Sequence, residues 1–266
     1  MNERHVLVTG AAGGIGLACA EIFAAAGDRV TGVDAREAEL TRHMAALAHE
    51  HGVDTHAVTA DLSSPDCGDI IARAAQALGP VDVLVNAAGI YPATPLAEMT
   101  AEAWDRVQHV NVRAPVLATV ALAAQGRPRS CVVNISSGAA TRARPGAAHY
   151  CTSKAALEMA TKACAVELAA VGVRVNAVAP GFIEVNSPVN PVTDEYATAV
   201  SANPLARVGQ PREVAAAVMW LASEAASFTT GAILRVDGGA TAGTSALPYH
   251  FPTTTALQRT SEQGGS

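Results

Sequence analysis

Tyr150 and Lys154 stand four residues apart in a stretch of helical character, which puts both on one helix face. Ser136-Ser137 closes an apolar, β-rich run thirteen residues earlier, at the kind of strand end where open α/β sheets place their chemistry. A tyrosine that takes a proton near neutrality must lose about three units from an ordinary value of ~10, worth about 4 kcal/mol. One ammonium at ~4 Å with an effective dielectric of ~20 supplies roughly that amount. On this reading Tyr150 is the general base for oxidising an alcohol and the acid for reducing a carbonyl, and Ser137 holds the substrate oxygen. Taken singly, each residue has a plainer role: a packed aromatic, a solvated helix charge, a turn serine.

A second set of residues suits a dinucleotide. Thr9-Gly10-Ala11-Ala12-Gly13-Gly14-Ile15-Gly16 follows an apolar strand and opens a helix carrying Ile15, Ala18, Cys19, Ile22 and Phe23. Gly10 permits the tight turn, Gly14 leaves room for a pyrophosphate, and Gly16 allows close helix-to-strand packing, while the helix N-terminus offers N–H groups to the anion. Asp34 closes the next strand, where a carboxylate accepts hydrogen bonds from ribose hydroxyls and repels a 2′-phosphate by roughly 3 kcal/mol at ~5 Å. NAD is therefore expected over NADP. Arg36 argues the other way if it swings towards a phosphate; solvent, or Glu39, are its alternatives. Asp61-Leu62 and Asn86-Ala87-Ala88-Gly89 follow the third and fourth strands. An Asp there can bind the adenine amino group or merely cap a helix, and a small glycine-containing turn lets a cofactor pass close to the backbone.

These residues need elements to hold them. Apolar strands at His5-Thr9, Arg29-Val33, Thr55-Thr59, Val81-Val85, Cys131-Ile135, Val173-Val178 and Ile233-Val236 alternate with helical segments. Such alternation predicts one doubly wound parallel sheet, a Rossmann-type α/β fold of about seven strands with helices on both faces. Residues 1–242 form that domain. Residues 243–266, rich in Thr, Ser, Pro and Gln, are expected to be a tail, flexible or in contact with a neighbouring subunit. Half of the 266 residues are hydrophobic, and 18 basic against 24 acidic residues give a net charge of −6 without a basic block. Nucleic acid and anionic membrane are poor partners for such a surface. The longest apolar runs fall short of the ~18 residues a span needs, and nothing near Glu3-Arg4 resembles a signal peptide, so the cytoplasm is expected. The five scattered cysteines suggest reduced thiols and no metal.

From His5 to about 242 the chain resembles the short-chain dehydrogenase/reductase family. Its motifs stand in family order: TGAAGGIG, Asp34, DL at 61–62, NAAG at 86–89, Asn111, NISS at 134–137, Tyr150 with Lys154, PG at 180–181 and DGG at 237–239. The resemblance implies an oxidoreductase moving hydride between NAD(H) and a secondary alcohol or ketone, with a tetrad of Asn111, Ser137, Tyr150 and Lys154. Asn111 would hold a water linking Lys154 to solvent, and Lys154 would also bind the nicotinamide ribose. Pro180, Gly181 and Ile183 would contact the cofactor, although Val185 replaces the threonine often found there; backbone at Ile183, or Asn186 or Ser187, would have to make that contact. A homotetramer through helices near 101–123 and 152–170 is also implied. Substrate choice should rest with Tyr91 to Thr94, Gly138 to Arg144, His149 and the stretch from Phe182 to about Leu205. A 3-oxoacyl ketoreductase, and a catalytically silent nucleotide sensor, are the rival readings.

Overall fold

The computed structural model describes residues 4–185 and 203–243. Seven strands, all parallel, form one sheet: β1 (His5–Thr9), β2 (Arg29–Asp34), β3 (Thr55–Thr59), β4 (Val83–Asn86), β5 (Cys131–Ile135), β6 (Arg174–Pro180) and β7 (Ile233–Val236). Their order is β3-β2-β1-β4-β5-β6-β7, so the winding reverses between β1 and β4. That reversal opens a crevice beyond the carboxyl ends of the strands. Register brings the key segments together there: Thr9 pairs with Asn86 and Asn86 with Asn134. The glycine-rich loop, the Asn86–Gly89 turn and the Ser136-Ser137 pair therefore leave the sheet side by side.

Helices α1 (Gly14–Ala25), α2 (Glu37–His51), α3 (Ile70–Leu78), α4 (Ala101–Gln108), α5 (Ala114–Ala123), α6 (Ala148–Leu168) and α7 (Pro211–Leu221) cover both faces. Successive strand residues point to opposite sides, so β1 sends Val6 and Val8 into one core with Phe23, Leu40 and Val218, and Leu7 into the other with Ile70, Leu122 and Val175. Near-continuous burial on both faces of the inner strands β1, β4, β5 and β6 explains why these read as apolar runs, whereas the edge strands β3 and β7 are half-buried.

Strand boundaries move a little from the sequence expectation. The fourth strand runs over Val83–Asn86 rather than 81–85, and the sixth extends to Pro180. The long helix expected near 101–123 is interrupted by a π-helical stretch, His109–Arg113, centred on Asn111. A buried polar seam ties α6 to the sheet: Asn86 Nδ2 donates to Asn134 Oδ1 (2.8 Å), Asn134 Nδ2 to Thr161 Oγ1 (2.9 Å), and the Thr161 hydroxyl to the Leu157 carbonyl (2.7 Å). This seam sets the depth at which α6 presents Tyr150 and Lys154. Among the described residues no helix is long and apolar enough to cross a membrane. The tail lies outside the described residues beyond Gly243, as do Asn186 and Ser187.

Candidate active site

The loop after β1 is shaped for close approach. Gly10 has φ +73°, and a Cβ there would stand 2.9 Å from the Ala88 nitrogen. A Cβ on Gly16 would meet the Gly10 carbonyl oxygen at 2.2 Å, so only glycine lets α1 begin this close to the loop. The N-cap position is Gly13, whose lack of a capping side chain leaves the first N–H groups of α1, from Gly14 and Ile15 onward, facing the crevice uncapped. Val185, beyond β6, reaches the same loop: its Cγ1 lies 3.2 Å from where a Gly14 Cβ would be.

Asp34 ends β2 beside this loop. Its Oδ2 accepts the Ala12 N–H (3.1 Å) and its Oδ1 the Arg36 N–H (3.0 Å). Arg36 folds back onto the same carboxylate, Nε to Oδ1 at 3.3 Å, rather than into solvent or onto Glu39. Its Nη2 also borders Gly13, so carboxylate and guanidinium share the edge of the cradle. Asp61 acts as a turn cap, with Oδ1 accepting from the Ser63 N–H (2.9 Å) and hydroxyl (2.8 Å); these bonds hold its carboxyl below the usual range. Leu62 beside it is buried. The Asn86 side chain is turned into the sheet, Ala87 packs against the core, and Gly89 comes close to both Asn111 Oδ1 and Lys154 Nζ.

Lys154 and Tyr150 project from one face of α6. The Lys154 ammonium is buried, donates to the Ile135 carbonyl at 2.8 Å and lies 5.8 Å from the Tyr150 ring centroid. Burial pushes it down to about 8. Tyr150 is pushed up by burial, against a hydrogen bond with Ser137 and the charge of Arg144. Ser137 also accepts the Ala139 N–H at 3.1 Å. A phenol, a hydroxyl and an ammonium are thus gathered where β5 meets α6, next to Gly89 of the turn after β4.

Residues 10–241 match the family model described as enoyl-(acyl carrier protein) reductase. The chain belongs to the short-chain dehydrogenase/reductase family. Among curated relatives, galactitol 2-dehydrogenase (L-tagatose-forming) of Cereibacter sphaeroides is 39% identical, covering 88% of this chain and 93% of the relative. The 3-oxoacyl-(acyl-carrier-protein) reductase of Thermotoga maritima is 37% identical over 90% of this chain and 98% of its own. A solved blue fluorescent protein from a metagenomic library, in complex with NADPH, superposes with a TM-score of 0.83 at 35% identity, covering 90% of this chain and 98% of that one. The chain is an oxidoreductase of the alcohol dehydrogenase and carbonyl reductase kind.

Within this dehydrogenase fold, the other residues singled out in the sequence are anchored by specific partners. The Asn111 side chain is fully engaged: Nδ2 donates to the Ile90 carbonyl (2.9 Å) and the Ser153 hydroxyl (3.0 Å), while Oδ1 accepts the Ile90 N–H (2.9 Å). Lys154 Nζ donates to the Ile135 carbonyl as well as lying against the Tyr150 ring. Ile183 buries its side chain against Gly209, and the bridge between them uses the Phe182 carbonyl and the Glu184 N–H, leaving the Ile183 backbone out of it. Gly181 packs on Asp237, where a Cβ would come within 2.8 Å of its Cα, and Pro180 closes β6 just before it. His149 is buried; Nδ1 accepts the Tyr150 N–H at 2.9 Å, and Nε2 has no hydrogen-bond partner.

Two supports escaped the sequence reading. Ser153 links Tyr150, whose carbonyl accepts its hydroxyl at 2.7 Å, to Asn111. Glu158, one turn beyond Lys154, accepts the Ser136 hydroxyl at 2.9 Å and pairs with Arg235 of β7 at 3.0 Å. The spacing of Ser153 and Glu158 along α6 was visible, but their partners lie on other elements.

Proposed function

We propose that the chain oxidises a secondary alcohol, or reduces the matching ketone, using NAD(H), with Tyr150 as general acid/base. The observation that carries this reading is the convergence of Ser137, Tyr150 and Lys154 on the mouth of a cradle that only glycine backbone allows. The cradle fits a dinucleotide: uncapped N–H groups at Gly14, Ile15 and Gly16 suit a pyrophosphate, and Asp34 suits the ribose hydroxyls. Asp61 and Leu62 would border the adenine. Asn86, Ala87, Gly89, Pro180, Gly181 and Ile183 would line the path to the nicotinamide, with the Ile183 backbone standing in for the hydroxyl that Val185 lacks. When bound, NAD supplies the hydride acceptor.

The protein's own part is proton handling. Ser137 orients the substrate oxygen, and Tyr150 takes its proton on oxidation or returns it on reduction. Lys154 holds the nicotinamide ribose and lends positive charge, while the Asn111 main chain connects Lys154 to solvent. The Asp34 carboxylate, held at the end of β2 by the Ala12 and Arg36 N–H groups, supports NAD; the Arg36 guanidinium paired with it offsets part of its charge and is the reason to test NADP in parallel. Exposed Val120 on α5 and Met159 and Val166 on α6, with Trp220 and Phe228 elsewhere, support a homotetramer built on helix faces. The cytoplasm is the proposed location. A 3-oxoacyl ketoreductase would use the same machinery. The complete Ser137-Tyr150-Lys154 set speaks against a silent nucleotide sensor.

A hydride-transfer screen over secondary alcohols, diols, sugars and 3-keto esters, with NAD and NADP side by side, tests the reading. Turnover of a secondary alcohol with NAD is expected. Dinucleotide binding without turnover of any substrate would sink it in favour of the sensor.

A further inference from the structure

Tyr150 is approached by positive charge from two segments. The Lys154 ammonium comes from the next turn of α6, 5.8 Å from the ring centroid, and the Arg144 guanidinium from the loop leading into α6, 5.2 Å from it. The groups acting most strongly on the phenol are the Ser137 hydroxyl from the end of β5, Arg144, the Tyr91 ring from the segment after β4, and Cys151; none is a carboxylate. Tyr91 lies tilted at 53° with its centroid 5.7 Å away, so an aromatic ring as well as a guanidinium packs against the Tyr150 ring.

The two cations are not equivalent. Lys154 is desolvated, tied to the Ile135 carbonyl, and pushed down to about 8, so it sheds charge in the range where a tyrosine ionises. A guanidinium keeps its charge throughout that range. Half-buried beside an aromatic face, it interacts through both the ring quadrupole and the phenolate charge.

We propose that Arg144 is a positioning residue of the acid/base centre, whose guanidinium over the Tyr150 ring stabilises the tyrosinate before any dinucleotide is bound. This rests on the reading of Tyr150 given above and adds to it a permanent charge supplied by the loop before α6. In the step it serves, the phenolate oxygen takes the substrate hydroxyl proton: the substrate O–H bond breaks, the phenol O–H bond forms, and the negative charge passes to the substrate oxygen.

The test separates this claim from the assigned activity by reading the tyrosine directly. The chain has four tyrosines, so near-ultraviolet tyrosinate absorbance, taken as the difference from the matching Y150F protein, isolates Tyr150. R144M should raise its titration midpoint by about one pH unit, and R144K should restore most of that shift. Turnover of a neutral alcohol should follow, with the rising limb of the oxidation profile moved up by the same amount, about a tenfold lower rate on the limb, and KM unchanged. R144Q takes the place of R144M if the latter fails to fold by circular dichroism. An unmoved midpoint in R144M would overturn the proposal. So would a midpoint that R144K fails to restore, or an effect confined to KM for carboxylate-bearing alcohols, which would make Arg144 a substrate-anion contact instead. Because the titration needs no substrate, it decides the matter even if the screen finds no turnover.

Discussion

The crevice between β1 and β4 is lined on one side by backbone and on the other by side chains. On the side proposed to hold the nucleotide, Gly10, Gly14 and Gly16 clear space and the first helix N–H groups are uncapped, with the Asp34–Arg36 ion pair at the edge. On the catalytic side, Tyr150, Lys154, Ser137 and Asn111 are held by side-chain bonds that cross from α6 to β5, to the π-helical stretch and to the turn after β4. The two sides fail differently. A backbone cradle breaks when a side chain is added, whereas the catalytic cluster breaks when one is removed. It also carries a desolvated ammonium, a cost that the cradle avoids by using neutral N–H donors.

The largest expected effect falls on the catalytic side. Tyr150→Phe keeps the ring and removes the proton carrier, so kcat should drop on the order of a thousandfold in steady-state assays with any active alcohol. Turnover within about tenfold of the wild type would remove Tyr150 from the acid/base role.

On the nucleotide side the sharpest change is selectivity. The wild type should favour NAD over NADP by on the order of a hundredfold in kcat/KM, from repulsion between Asp34 and a 2′-phosphate. Asp34→Ala should shrink that ratio sharply and free Arg36 from its carboxylate partner. Equal use of both cofactors by the wild type would mean that Arg36 already outweighs Asp34.

Lys154 exposes what the catalytic side gives up in stability. Its folded value of about 8 lies below the unfolded 10.5, so between these limits the unfolded chain keeps a proton that the folded one releases. Stability should therefore rise with pH across that window, and the penalty is fully present below about 8. Lys154→Met should stabilise the free protein by about 2 kcal/mol at pH 7 in urea titrations, while turnover and dinucleotide affinity fall. A destabilised variant, or a stability curve flat from pH 8 to 10 in the wild type, would contradict the assignment of a costly buried charge.

Smaller still is the effect of the seam beneath both. Thr161→Val leaves Asn134 Nδ2 without its acceptor and should cost about 1–2 kcal/mol, with a fall of a few degrees in Tm and no change in cofactor preference. A shift in the NAD to NADP ratio would show that the two sides are coupled through the sheet.

Much of the glycine-rich loop's geometry was legible in the sequence because its requirements are local. Glycines at 10, 14 and 16 and an acid at 34 are placed by chain geometry within one strand–helix–strand unit, and the alternation of apolar runs with helical segments was sufficient to identify a parallel sheet of seven strands, though not their order. The spacing of Tyr150 and Lys154 was legible for the same reason, since one helix turn separates them. What could not be read was whatever depends on partners far away in the chain. Asn111 spends its whole side chain on Ile90 and Ser153, Ser136 on Glu158, and Glu158 on Arg235 of the last strand. Arg36 settled on Asp34 although Glu39 and solvent were equally open to it along the sequence, because the strand end presents that carboxylate to the same loop.

The central claim is that binding and chemistry are divided across the crevice, and one paired measurement tests it most directly. Dinucleotide affinity by fluorescence titration and the single-turnover hydride-transfer rate at saturating cofactor would be compared for the wild type, Tyr150→Phe and Asp34→Ala. The expected result is that Tyr150→Phe loses rate on the order of a thousandfold with NADH affinity within about threefold of the wild type, while Asp34→Ala loses NAD affinity and keeps the rate once saturated. A Tyr150→Phe protein whose affinity fell in step with its rate, or an Asp34→Ala protein slow even when saturated, would contradict the division.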